Sequence, residues 1–183
     1  MNELENFPAY KTRVMESHVN YLDSSTFKST TFSYSNPGGV GIFSVVDRRT
    51  LEPKIFVDKE RLETLVSKTD GGNFEDILPF ILEHEVREAY VNTSLLLGKT
   101  SRSSVQGNTN HNDSTYEAMK LALQSGKLDK YLEFLEKVQE LASAQTAEYF
   151  DDDTQDNQAD YFNRLHRDLA TRVRLEAVQS PRI

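Results

Sequence analysis

Residues 82–89 read Leu-Glu-His-Glu-Val-Arg-Glu-Ala, and three of them could do chemistry together. His84 and Glu88 are four apart, so on an α-helix they lie one above the other on the same face. Placed so, they can offer one nitrogen and one oxygen to a single cation, with Glu85 beside them as a base. The spacing is that of the H-E-x-x-H zinc helix with its second histidine exchanged for glutamate. Zinc takes three protein ligands, accepts nitrogen and oxygen donors, and leaves a fourth position for water. His111 is the first candidate for the third ligand, with Asp113 and Glu117 behind it. Asp113 equally suits a turn, and Glu117 suits a capping box with Ser114.

The element that must carry this set is a long helix. At about 100° per residue, Ile77, Leu78, Ile81, Leu82, Ala89, Val91, Leu95 and Leu96 gather on one broad apolar arc. His84, Glu85, Glu88 and Asn92 project into the middle of that arc, and Glu83, Arg87 and Ser94 fall opposite. A lone carboxylate on an apolar face must be neutralised, paired or bound to a metal, because its desolvation is costly. The pattern also fits a helix facing a polar neighbour or a partner subunit. Arg48, Arg49, Arg87, Arg102 or the C-terminal arginines would then pair the carboxylates.

Around this helix, periodicity predicts the remaining elements. Pro8, Tyr10, Val14, Met15, His18, Tyr21 and Leu22 recur at helical spacing over residues 8–23. From Phe27 the period turns to alternation through Phe32 and Tyr34, Asn36-Pro37-Gly38-Gly39 supplies a turn, and Val40–Val46 makes a second strand. Lys54–Val57 is a third, and Asp58 stands where a short helix needs its N-cap. Residues 75–97 form the HExxE helix, ended by Gly98. The Ser/Asn/Gly/Thr-rich stretch 98–113 reads as a long loop that could rim a substrate site. Ser114–Glu117 opens a short helix ending near Gly126, and 128–150 is a longer one. The acidic run 151–157 reads as a solvated linker before a last helix, 159–178.

Composition narrows the function. The chain has 183 residues, a formal charge of −8, no cysteine and no tryptophan. A net negative charge argues against nucleic acid as the main partner, since phosphate binding needs a cationic face. In residues 159–183 five arginines meet Asp160, Asp168 and Glu176, which is a mild excess. Without cysteine there is no disulfide scaffold, thiolate zinc site or thiol nucleophile. The most apolar run, Ile77–Leu82, is far shorter than the ~20 residues a bilayer needs. The acidic N-terminus has no apolar core of a secretory signal, so a cytoplasmic protein is expected, or one delivered by a phage or a specialised secretion system. Asn36–Gly41 lacks the lysine of a phosphate cradle, and Asp151–Asp153 lacks the glycine and terminal glutamate of a calcium loop.

Ile55-Phe56-Val57-Asp58, the HExxE helix, Tyr116-Glu117-Ala118-Met119-Lys120-Leu121-Ala122, and then Gly126 and Tyr131, resemble a family of small phage- and prophage-encoded zincin-like minimal metallopeptidases. The likeness covers about residues 54–135, and its motifs are short. It implies Zn²⁺ held by His84 and Glu88, with Glu85 as catalytic or supporting acid. The family's second helix places a histidine where Met119 stands, and a thioether serves zinc poorly. Either His111 takes over, or the site is degenerate.

The fold expected from all this is α+β and zincin-like, a small antiparallel β-meander packed with a mostly helical C-terminal half. Residues 1–150 form one domain, and 151–183 an acidic linker plus a helix docked on the domain or on a partner, a route to homo-oligomers. The function expected is a zinc-dependent hydrolase acting on peptide bonds, with a protein or peptide as partner. The alternative is a non-catalytic interaction protein, phage-derived or effector-type, on a degenerate zincin-like scaffold.

Overall fold

A computed structural model describes residues 4–33, 41–69, 72–99, 107–146 and 152–179. Seven helices and three strands occur among them: α1 (Phe7–Ser17), β1 (Val19–Leu22), α2 (Ser24–Ser33), β2 (Ile42–Val46), β3 (Pro53–Asp58), α3 (Lys59–Val66), α4 (Phe74–Leu96), α5 (Gly107–Gln124), α6 (Leu128–Thr146) and α7 (Asp152–Gln179). The protein is α+β and mostly helical. Its residues gather in two compact units, one from Met1–Arg61 and Ile81–Ser114, the other from Leu62–Phe80 and Thr115–Ile183.

The first unit holds the sheet, in the order β1-β3-β2. β1 runs parallel to β3, with Val19 opposite Ile55, and β2 runs antiparallel to it, with Phe43 opposite Phe56. The sheet is therefore mixed, and the expected antiparallel meander is not what forms. Two errors of period produced that expectation. The helical spacing of residues 8–23 holds only to Ser17, after which Val19–Leu22 pairs as a strand. The alternation begun at Phe27 lies instead in α2, which Asp23 caps by accepting from Thr26 N at 2.9 Å. The turn expected at Asn36–Gly39 lies outside the described residues.

Backbone pairing at the β2 edge matters for the site. Asp58 N donates to Gly41 O at 2.8 Å and Asp47 N to Glu52 O at 3.0 Å. The odd-numbered residues of β2 thus face β3, and the even-numbered ones turn N–H and C=O outward along the edge. Phe43 meets Phe27 edge-on, with centroids 5.5 Å apart, and stacks on Phe56 at 5.1 Å. These three rings, with Leu22 and Val45, form the apolar cluster beside the sheet. Asp58 caps α3 as expected, accepting from Arg61 N at 3.0 Å and from Ser24 Oγ at 2.9 Å.

α4 matches its predicted span, and a Schellman motif ends it. Gly98, at φ +68°, donates to Leu95 O and Lys99 N donates to Ser94 O, both at 3.0 Å. Its face opposite the apolar arc is not solvated. Glu83 is buried and pairs with Arg87 at 2.6 Å and with Lys11 of α1 at 2.5 Å. Arg87 in turn lies over the Phe7 ring, 4.1 Å from its centroid. Tyr10 joins the same contact through Thr93 Oγ1 at 3.1 Å. Glu83, which falls opposite the apolar arc, is thus the ionic pin between two helices.

In the second unit, Leu62, Leu65, Phe74, Ile77, Phe80, Ala118, Met119, Ala122, Tyr131 and Phe134 are buried. Phe80 and Tyr131 have centroids 5.5 Å apart. α6 packs along α7, with Arg167 reaching Glu136 at 2.8 Å and Arg174 pairing with Asp129. Among residues 160–179 of α7, His166, Ala170 and Val173 are buried. The acidic stretch expected as a linker is helical from Asp152 on, so α7 begins seven residues before the predicted Ala159. α6 is described to Thr146, and the remainder of the predicted span to 150 lies outside the described residues.

The largest departure is at α5. The predicted loop 98–113 ends early, because the helix already runs from Gly107. Residues 100–106 of that loop lie outside the described residues. Ser114 and Glu117 are interior to α5 rather than a capping box, and Glu117 pairs with Lys120 at 3.1 Å. Gly107-Asn-Thr-Asn-His-Asn-Asp113 has poor intrinsic helicity, about 5 kcal/mol worse than seven alanines. Gly126 ends the helix as predicted, in a second Schellman motif, with φ +67°.

Candidate metal centre

α4 projects His84, Glu85 and Glu88 from consecutive turns, and the fifth residue of α5 supplies His111. One carboxylate oxygen joins the set. Glu88 Oε1 lies 3.1 Å from His84 Nε2 and 3.0 Å from His111 Nδ1. A carboxylate only accepts, so both ring nitrogens donate to it here. The imidazoles themselves meet edge to face, with centroids 4.7 Å apart. One ligand atom from each of the three residues can be chosen so that all lie within 4.8 Å of one another. Among the described residues this is the one such group of histidine, aspartate and glutamate.

That spacing suits a small cation. Ligands at ~2.1 Å in a tetrahedron stand about 3.4 Å apart, so Glu88 already sits at nearly the required distance from both nitrogens. Two nitrogens and one oxygen form a donor set that zinc accepts, with a position left over for water. The side chains are partly shielded, His84 being 12% exposed, Glu88 23% and His111 38%. The site is therefore most open to solvent at His111.

The electrostatics follow from this packing. For Glu88, burial works against ionisation, but hydrogen bonds from His111 and His84 outweigh it and hold the carboxyl far below its ordinary value. For His84, burial again opposes charge, and the ion pair with Glu88 more than compensates, so its pKa lies above the usual one. Glu85 has no such relief. Burial and the neighbouring Glu88 charge push its carboxyl up to about 7, against the opposing pull of His84 and hydrogen bonds from Ser44.

Ser44 is the residue that sequence reasoning missed. Its hydroxyl and its main-chain N–H both donate to the Glu85 carboxylate. The second bond is available because Ser44 is an even-numbered residue of β2, whose amide points off the sheet edge. A serine in a β-rich run gave no chemical signal by itself. Only the register shows that it faces outward from β3.

The other candidates are placed elsewhere. Asp113 is exposed, and neither it nor Glu117 belongs to the three-residue group. Met119 is fully buried among the apolar residues of the second unit, which explains the residue type there as packing. Of the arginines invoked to neutralise an inward-facing carboxylate, Arg87 holds Glu83 instead. Arg102 lies outside the described residues. Comparison with family models, with curated proteins and with solved structures finds no match to this chain.

Proposed function

We propose that this protein is a metal-dependent, zincin-like hydrolase acting on peptide bonds, with one Zn²⁺ held by His84, Glu88 and His111. The observation that carries the reading is the shared position of Glu88 Oε1, within 3.1 Å of a nitrogen on each of two histidines. A trio of this donor chemistry, bridged here by protons, offers a cation two nitrogens and an oxygen at nearly the right spacing. Zinc bound there would polarise a carbonyl and acidify a water.

The chain's own residues supply the rest. Glu85 is next in sequence to His84 and is buried, so its carboxylate is poorly solvated and ready to take a proton. Ser44 fixes its orientation from the β2 edge. Hydrogen bonding from two donors leaves the remaining lone pairs of Glu85 free to point elsewhere.

The test is proteolysis of a fluorogenic peptide library and of unfolded casein by the zinc-loaded full chain. Zinc-dependent cleavage that disappears in Glu85→Gln, with metal content unchanged, supports the proposal. Bound zinc without cleavage of either substrate removes the peptidase assignment and favours the interaction-protein alternative.

A further inference from the structure

His111 is delivered to Glu88 by a helical segment whose own sequence does not favour a helix. Gly107 to Asp113 contains one glycine, three asparagines, a threonine and an aspartate besides the histidine. Each of these residue types competes with, or gains little from, helical backbone geometry. The segment is nevertheless helical, and it precedes Ser114, the first buried residue of α5 within the described part. Asn110 and His111 are only half-buried, and Asp113 is exposed. Packing therefore anchors α5 from Ser114 onward. The turns before it are tethered through His111, on Glu88 at 3.0 Å and against the His84 ring.

Resting on the metal reading above, we infer that the cation and the first two turns of α5 order each other. Metal bound by His84 and Glu88 captures His111 and holds residues 107–113 helical. Without metal the His111–Glu88 hydrogen bond is a weaker tether, so those turns open more often and the third ligand withdraws with them. Local opening of a segment with low helicity, whose side chains at 110–113 are half-buried or exposed, requires no global unfolding. Binding a ligand to the ordered form shifts that equilibrium in proportion to its preference for it. The cation site is thus completed by the ion it binds, and α5 registers whether the site is filled.

Hydrogen exchange on the full chain, with chelator and with one equivalent of zinc, tests this. The reporting amides are those of residues 111–114, which donate to carbonyls 107–110 when the segment is helical. Zinc is expected to slow their exchange by about tenfold or more and to leave amides 118–122 unchanged. His111→Ala removes the slowing, and unchanged protection at 118–122 shows that the variant still folds. Asn112→Ala, which raises helicity without touching a ligand, speeds ordering and tightens zinc binding about threefold. Equal exchange of 111–114 with and without metal, in a sample that metal analysis shows to be zinc-loaded, overturns the inference and leaves the metal site standing. Unchanged affinity in Asn112→Ala overturns it as well. A sample that takes up no zinc overturns the metal reading and the inference with it.

Discussion

Replacing Glu85 by glutamine is expected to stabilise the metal-free protein at pH 8 and to leave it nearly unchanged at pH 5. The carboxyl has a pKa of about 7 in the fold against an ordinary value of 4.5. Between those two values the native state binds the proton and the unfolded chain does not, so stability falls as pH rises. At pH 8 the buried group is ionised at a cost of about 3 kcal/mol, from roughly 1.4 kcal/mol per pKa unit. Glutamine keeps the shape and can still accept from Ser44, but it carries no charge. Removing the full cost would raise Tm by about 6–12 °C for a chain of this size, less whatever the new amide N–H₂ loses by burial. Thermal melts in chelating buffer at pH 5, 6, 7 and 8 would show the two proteins diverging through neutrality. A constant offset across that range, or a less stable variant at pH 8, would refute the claim that Glu85 is held in an environment hostile to its charge.

Three further outcomes are expected. Zinc binding near pH 6.5 should release protons, because His84 is held protonated by Glu88 and must lose that proton to ligate; calorimetry in buffers of different ionisation enthalpy reads the number, and zero would contradict the ion pair. Zinc at 100 times its Kd should stabilise the wild type by about 2.7 kcal/mol, and His84→Ala, Glu88→Ala or His111→Ala should each abolish that gain in a thermal-shift titration. Glu83→Ala should cost about 2 kcal/mol in urea unfolding while leaving zinc uptake intact, since it cuts the pin between α1 and α4 and no ligand.

The sequence made the chemistry of α4 legible because four-residue spacing on a helix is a local property. His84 and Glu88 must share a face wherever the helix packs, and the 23 residues of α4 form one strong periodic run. Gly98 and Gly126 were legible as stops for the same reason: a positive φ is a demand of the local backbone. His111 was named from residue type alone, and only tertiary structure brings it to Glu88. The sheet was legible in β2 and β3 and misread elsewhere. Val19–Leu22 continues a helical apolar rhythm, and what makes it a strand is a parallel partner 36 residues away, at Ile55. α2 shows the reverse, a Ser/Thr-rich segment that alternates like a strand yet is capped by Asp23 and held by Phe27 in the aromatic cluster. Glu83 was legible as lying opposite the apolar arc, but its burial was not, because it takes Lys11 of α1 as well as Arg87 of its own helix. Low helicity at 107–113 misled most, and there the structure departs from local preference at the segment that carries the candidate ligand His111.

The most direct measurement is anomalous diffraction at the zinc edge from crystals grown with one equivalent of zinc. A single peak about 2.0–2.2 Å from His84 Nε2, His111 Nδ1 and a Glu88 oxygen is the predicted result. No peak, or one that omits any of these three side chains, would contradict the assignment of a cation to this site.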